Sequence, residues 1–273
     1  MSLLEETKQL LCRNKIVPNR LLGQNFLVEE TVFSRLATYA SLTSNDVVLD
    51  IGAGFGFLTR FLAGKCKLVF AVEKDCQIAC ALGARLKGVT NVHVIEGDVL
   101  TADMPLFDKV VSAPPYQISS PLLTWLFNRP FKCAVLILQK DFANRLVARV
   151  DTEDYSWLTV YSYFMGSVEL LDAVPRSMFY PEPEVDSLVV RLGPKTNPQF
   201  ELNNLRLFIP MLKSIFSERN KKLINAVVPF ATGALKLSKE EARLRLGKLP
   251  FCKERARALK PEAFKEVANV LID

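Results

Sequence analysis

The sequence predicts an α/β fold: a largely parallel seven-stranded sheet with helices on both faces, and a small helical domain at the C-terminal end. Three observations carry this prediction. Candidate strands alternate with candidate helices through the first two thirds of the chain. One apolar run, Asp46 to Ile51, leads straight into a glycine-rich turn, Gly52-Ala53-Gly54-Phe55-Gly56. Beyond Gly193-Pro194-Lys195-Thr196-Asn197-Pro198, a segment rich in turn residues, the pattern becomes helical throughout. With 273 residues the chain has room for one large domain and one small one, which we bound at 1–193 and 199–273.

The parallel strands are expected near 46–51, 67–72, 91–95, 107–112 and 132–138, as short apolar runs bounded by polar or turn residues. Helices fall between them, for example Asp75 to Lys87 and Ser119 to Phe127. Ser167–Val174 and Val185–Leu192 read as two further strands around Pro175 and Pro181-Glu182-Pro183. No long helix separates them, so they are expected to form an antiparallel hairpin that closes one sheet edge. In the last quarter, helices are expected over Asn204–Ser217, Lys221–Val228, Lys239–Leu246 and Pro261–Leu271. Ser238 with Glu241 has the spacing of a capping box.

Composition narrows the functional classes. The chain is 49% hydrophobic and 23% charged, enough apolar content for a packed core. No apolar run reaches the roughly 18 residues of a membrane span, and the N-terminal residues lack the basic-then-apolar order of a signal peptide. A cytoplasmic location is the expectation. The six cysteines form no Cys-x-x-Cys pair and His93 is the only histidine, so we expect reduced, mostly buried thiols and no metal site. His93 sits in a candidate strand and reads as structural. The net charge of +6 is uneven: residues 206–273 hold 15 Lys/Arg against 7 Asp/Glu. Such a basic segment points to a polyanionic partner, nucleic acid first, with a solvated helical surface as the plain alternative.

The glycine turn carries the first chemistry. Glycines between a strand and a helix let a ligand approach the backbone, and an acid about 20 residues further on is placed to accept hydrogen bonds from ribose hydroxyls. Glu73, at the end of the next apolar run, is that acid. Asp98 follows the third strand as Glu96-Gly97-Asp98, where a carboxylate can accept an adenine amino group. An adenosine-bearing cofactor fits, although a tight turn alone would leave the same glycines. Gly-x-Gly-x-Gly suits a dinucleotide fold less well than Gly-x-Gly-x-x-Gly does. It matches the Asp/Glu-x-Gly-x-Gly-x-Gly pattern of Rossmann-like class I methyltransferases, which bind S-adenosylmethionine.

The fourth strand ends in Ser112-Ala113-Pro114-Pro115-Tyr116. Two prolines remove two backbone donors and leave carbonyl acceptors, which can hold the N–H groups of an exocyclic amine. Tyr116 can stack on the base that carries the amine, a contact worth roughly 1–3 kcal/mol. A rigid turn with a core tyrosine is the structural alternative.

Taken with these motifs, Leu22-Gly23-Gln24-Asn25-Phe26-Leu27, Pro115-Tyr116-Gln117-Ile118-Ser119-Ser120, Leu138-Gln139-Lys140-Asp141 through Arg145-Leu146-Val147-Ala148, Phe179-Tyr180-Pro181-Glu182-Pro183 and Phe216-Ser217-Glu218-Arg219-Asn220-Lys221-Lys222 give a full-length resemblance. The chain resembles the ribosomal RNA adenine N6-dimethyltransferase family, which dimethylates two adjacent adenosines near the 3′ end of small-subunit rRNA. The resemblance implies an S-adenosylmethionine domain over 1–193 and a helical rRNA-binding domain over 199–273. It implies a monomer that acts on rRNA within the immature ribosomal subunit, without a membrane or a metal. It also implies that Gln24, Asn25, Leu27, Gly52, Gly54, Glu73, Asp98 and Ala113 hold the cofactor. Ala113, Pro114, Pro115, Tyr116 and Phe179 would surround the target adenine, with Tyr116 and Phe179 on opposite faces of the base. Arg145, Arg219, Lys221 and Lys222 would hold RNA phosphates.

One position departs from the family pattern. Before Pro-Tyr the family usually has Asn-Leu or Asn-Ile, and here Ala113-Pro114 stands instead. Alanine supplies no side-chain acceptor to the amine, a loss that can cost about 3 kcal/mol in a dry site. Three outcomes follow as expectations: slow dimethylation, arrest at one methyl, or an assembly factor that binds RNA without efficient chemistry. Methylation of large-subunit rRNA, as in the antibiotic-resistance relatives, and DNA amino-methylation are the neighbouring activities. The full-length resemblance disfavours the second.

Overall fold

The structure is a computed structural model that describes residues 1–19, 22–195 and 202–272. Its strands are β1 (Phe26–Leu27), β2 (Val47–Ile51), β3 (Leu68–Glu73), β4 (Val92–Glu96), β5 (Lys109–Ser112), β6 (Cys133–Gln139), β7 (Gly166–Val174), β8 (Phe179–Tyr180) and β9 (Ser187–Pro194). The helices are α1 (Leu3–Arg13), α2 (Glu30–Tyr39), α3 (Phe57–Ala63), α4 (Cys76–Arg85), α5 (Ser119–Phe127), α6 (Lys140–Leu146), α7 (Trp157–Met165), α8 (Leu202–Ser217), α9 (Leu223–Ala226), α10 (Lys239–Gly247) and α11 (Ala263–Ile272).

Seven strands form one sheet in the order β4-β3-β2-β5-β6-β9-β7. β3 pairs with β2 and β4, and β5 with β2 and β6, all in parallel. β5 and β6 are covered on both faces, which is why they read as unbroken apolar runs rather than alternating ones. The expected closing pair is present with its order resolved. β9 inserts beside β6 in antiparallel register, from Ala134↔Leu192 to Gln139↔Ser187, and β7 takes the edge beyond it. β1 and β8 make a separate two-stranded antiparallel sheet with Leu27 opposite Phe179, which the sequence did not announce.

The chain divides into two compact units, one of residues 1–143 with 168–194 and the other of residues 144–167 with 195–273. The expected boundary at 193 therefore marks only one junction, and residues 199–201 lie outside the described residues, as do 196–198 of the expected linker. The earlier crossing arises because α7 belongs with the C-terminal helices. Phe164 packs edge-on against Phe208 of α8, Tyr155 packs against Phe216, and the Tyr155 hydroxyl donates to the carbonyl of Leu259 at 2.7 Å. α10 starts at the expected capping box, in which Glu241 N–H donates to Ser238 Oγ and Ser238 N–H to the Glu241 carboxylate.

The cysteine expectation needs correction. Cys66 and Cys133 are buried, but Cys12, Cys76 and Cys80 are exposed. The last two sit on the solvent side of α4, one turn apart, because that helix buries Ile78, Ala79, Ala81 and Leu82 instead. His93 lies exposed on the edge strand β4 with its ring 5.8 Å from that of Phe70.

Candidate cofactor and amine site

The sheet reverses its winding between β2 and β5, the place where open α/β sheets bind ligands. The glycine turn leaves β2 there. Gly52 and Ala53 both donate to the carbonyl of Val72, at 2.8 and 3.0 Å, which bends the chain over the end of β3. Gly52 holds φ +70°, and a Cβ built on it would lie 2.7 Å from Cδ of Pro115. No L-residue fits that position without moving the proline. The Gly turn after β2 and the Pro-Pro-Tyr turn after β5 are therefore in direct contact.

A cavity of about 290 Å³ opens over this contact. Of the residues expected to hold a cofactor, Gln24, Asn25, Leu27, Gly52, Gly54, Glu73, Asp98 and Ala113 all line it, joined by Pro115. Glu73 is buried, and each of its oxygens already accepts a backbone N–H: Gly54 at 2.9 Å and Asp75 at 3.0 Å. The acid expected to meet a ribose thus also fixes the glycine turn, with its remaining lone pairs left for hydroxyl donors. Burial pushes its carboxyl above the ordinary range, against the opposing pull of these N–H groups.

Asp98 is held by the N–H of Leu100 at 2.9 Å and by Lys74 Nζ at 3.0 Å. The Leu100 hydrogen bond, opposed by burial and aided by Lys74, keeps its carboxyl below the usual value. Gln24 is anchored at both ends: its carbonyl accepts from Asn19 N–H at 2.7 Å and its amide donates to Asp75 at 2.9 Å. Asn25 donates to the carbonyl of Gly23 at 3.3 Å.

Sequence reasoning passed over several residues of this cavity, Lys74 and Asp50 among them. Lys74 needed the Asp98 contact, which is visible only in three dimensions. Asp50 stood within the motif itself. It is 1% exposed and accepts from the Thr59 hydroxyl at 2.7 Å. Burial pushes its carboxyl up to about 7, a rise that the Thr59 hydrogen bond opposes and the Glu73 charge increases. Its signal was an acid inside an otherwise apolar strand.

On the amine side the structure differs from expectation. Ala113 and Pro115 line the cavity, whereas Pro114, Tyr116 and Phe179 do not. The carbonyls of Ala113 and Pro114 accept no hydrogen bond from the described residues, while that of Pro115 accepts from Ile118 N–H at 3.2 Å. The Tyr116 hydroxyl lies 2.7 Å from Ser187 Oγ, and burial pushes the phenol above its ordinary pKa. Phe179 is 4% exposed because β8 carries it into the main core. It meets Tyr116 edge-on, with centroids 6.5 Å apart and planes at 68°. The two rings do not stand parallel to each other in this conformation.

The expected phosphate ligands lie in the second unit, and their commitments differ. The Arg219 guanidinium donates to the carbonyls of Glu153 and Tyr155, at 2.5 and 3.1 Å, which makes it a tether for that loop. Lys221 pairs with Glu218 at 3.0 Å, and Arg145 is half-buried and engaged within the protein. Lys222 is exposed and pairs by its backbone with Arg255 in an isolated antiparallel bridge. Among the described residues, no cluster of three or more His, Cys, Asp or Glu side chains is placed to hold a metal ion.

This sheet order, glycine turn and pair of strand-end acids define a Rossmann-like class I methyltransferase fold. A crystal structure of a dimethyladenosine transferase from Plasmodium falciparum superposes with a TM-score of 0.74 at 31% identity, covering 89% of this chain and 95% of that one. The 23S rRNA methyltransferase ErmE superposes at 0.64 and 28% identity, covering 91% and 100%. The model of the ribosomal RNA adenine dimethylase family matches residues 17–248, and the chain belongs to that family. A relative from Methanosarcina acetivorans, named "Probable ribosomal RNA small subunit methyltransferase A", is 40% identical over 252 residues, 92% of each chain. One of the same name from Thermococcus kodakarensis is 37% identical over 266 residues, covering 96% of this chain and 93% of its own.

Proposed function

We propose that this protein transfers methyl groups from S-adenosylmethionine to N6 of two adjacent adenosines near the 3′ end of small-subunit rRNA, during ribosome biogenesis. The observation that carries this is the contact of Gly52 with Pro115, which brings a cofactor turn and an amine-holding turn to one cavity in a chain of the dimethylase family. The small-subunit names of the relatives favour that substrate over large-subunit rRNA.

The cavity suits the cofactor by its donor set. Bare backbone at Gly52 and Gly54 meets the methionine part, Glu73 the ribose hydroxyls and Asp98 the adenine amine, with Gln24, Asn25 and Leu27 closing the N-terminal side. When bound, S-adenosylmethionine supplies an electrophilic methyl group. The chain's own residues then have to orient a poor nucleophile, since the adenine amine shares its lone pair with the ring. The uncommitted carbonyls of Ala113 and Pro114 accept its two N–H groups, favour a pyramidal nitrogen and stabilise the positive charge that develops. Tyr116 stacks on the base after it leaves the RNA helix, and Phe179 buttresses Tyr116 from its edge. No strong general base is needed, because the methylated ammonium is acidic enough to lose its proton to water. Lys222 and Lys221 hold phosphates from the second unit, which makes rRNA binding steeply salt-dependent. The protein acts as a monomer in the cytoplasm.

A second reading keeps the same fold and partner without efficient chemistry, as an assembly factor on the immature subunit. Ala113 favours it, because the cavity wall there has no side-chain acceptor. Mass spectrometry of immature small subunits incubated with the protein and S-adenosylmethionine separates the two. Dimethyladenosine supports the enzyme, and monomethyl product alone places the defect in the second transfer. Subunit binding with no methyl added supports the assembly factor. In that case Ala113→Asn is expected to raise turnover by roughly 10²–10³, about 3 kcal/mol of barrier.

A further inference from the structure

The family model begins at residue 17, so α1 lies before the matched span. It is a well-made helix all the same. Ser2 and Glu5 close a complete capping box at its start, and Leu11 is buried. Leu11 shares one apolar cluster with Phe26, Phe55 and Ile78, on the outer side of the glycine turn.

Arg85, the last residue of α4, ties this helix to the turn. Its Nη2 lies 2.5 Å from Glu6 of α1, and its Nη1 donates to the carbonyl of Phe55, between Gly54 and Gly56. Its guanidinium carbon stands 4.4 Å from the ring centroid of Phe57, the first residue of α3. The Arg85 side chain is only 18% exposed, so these charge-assisted bonds are sheltered from solvent. A planar fork reaches both partners at once, which the point charge of a lysine cannot do. Lys8, in the same helix, stands 5.2 Å over the ring of Tyr180, in the small sheet that also carries Phe179.

From this geometry we infer that α1 is a brace for the cofactor turn, with Arg85 as the positioning residue that transmits it. The turn holds three left-handed glycines, Gly52, Gly54 and Gly56, whose backbone is otherwise free to explore other conformations. Glu73 fixes it from inside the cavity, and Glu6 through Arg85 fixes the carbonyl of Phe55 from outside. Neither Glu6 nor Arg85 lines the cavity, so their effect on a bound cofactor passes through the turn.

The cofactor part of this inference rests on the function proposed above; the brace itself does not. The test uses the full chain with Arg85→Met, Arg85→Lys and Glu6→Ala. Hydrogen exchange is followed by mass spectrometry, and S-adenosylmethionine affinity by calorimetry. Amides of Gly54 to Phe57 are expected to exchange about tenfold faster in Arg85→Met, with β2 and β3 unchanged, and Arg85→Lys to recover only part of the protection. Cofactor affinity is expected to fall about tenfold in Arg85→Met and less in Glu6→Ala, with rRNA affinity unmoved. Unchanged exchange at the turn, or exchange raised equally throughout the sheet, overturns the brace. If Arg85→Met does not fold, exchange at the turn in Glu6→Ala decides the matter alone. A wild-type protein without S-adenosylmethionine affinity would overturn the cofactor reading, while the exchange result would still decide the brace.

Discussion

The two turns that meet at the switch point are built to different standards. After β2, the turn is held at three successive points: Gly52 N–H by Val72, Gly54 N–H by Glu73, and the Phe55 carbonyl by Arg85. After β5, the carbonyls of Ala113 and Pro114 stand without hydrogen-bond partners among the described residues, and Tyr116 leans edge-on against Phe179 with one hydroxyl contact to Ser187. The first turn has these backbone donors and the Phe55 carbonyl engaged within the protein, whereas the second leaves the carbonyls of Ala113 and Pro114 open to donors. Under the proposed function, cofactor affinity is expected to follow the first turn and methyl transfer the second.

Four changes test that contrast, in descending order of effect. Gly52→Val forces a side chain into Pro115 at a left-handed position. It is expected to abolish cofactor binding in calorimetry and to lower stability by about 3 kcal/mol or more in urea unfolding. Tyr116→Ala removes the stacking face and should weaken methyl transfer by roughly 1–3 kcal/mol, about five- to 150-fold, while cofactor affinity stays put. A matching loss of cofactor affinity would erase the division between the two turns. Glu73→Gln keeps one acceptor but turns an amide toward a backbone N–H, leaving a buried donor unpaired at about 1–3 kcal/mol. Its signature is weaker cofactor binding with the Tyr116 side intact. Tyr116→Phe forfeits only the Ser187 hydrogen bond, about 1 kcal/mol of stability, and keeps the stacking face.

Acidity gives a further handle on the first turn. Asp50 has a folded pKa of about 7, well above that of an unfolded aspartate, so the folded state binds the extra proton between roughly pH 4 and 7. Its contribution to stability is therefore favourable at low pH and is lost as the pH rises through 7. Asp50→Asn should flatten the dependence of unfolding free energy on pH across that window. A profile parallel to the wild type would show that Asp50 is ionised throughout.

Much of the first turn could be read in the sequence because its signals are local. β2, β3, β5 and β6 are apolar runs that begin and end within two residues of the expected limits, and Gly52, Glu73 and Asp98 stand at or just beyond the ends of their strands. Asp75 even appears as the N-cap of α4, accepting from Gln77 and Ile78 N–H. What escaped was non-local. β1 and β8 are two residues each, too short to show any period, yet their pairing decides that Phe179 is a core residue. The tie of Arg219 to the carbonyls of Glu153 and Tyr155 was also hidden, because a basic run carries no mark of which cation folds back onto a loop. Arg85 stands 79 residues from Glu6, and only the packed fold joins them.

The chain leaves its sheet unit at residue 143, returns at 168 and leaves again at 194, so the helical unit is written in two instalments with sheet strands between them. Neither unit is a cassette. A chain ended at 194 would carry α7 into solvent with Phe164 parted from Phe208 and Tyr155 from Phe216 and Leu259. During synthesis the same helix emerges long before its partner α8 does and must wait for it. Exchange of the helical unit between relatives by a single crossover would strand one instalment in foreign company. Inheritance of the two units is tied by the order in which the chain visits them.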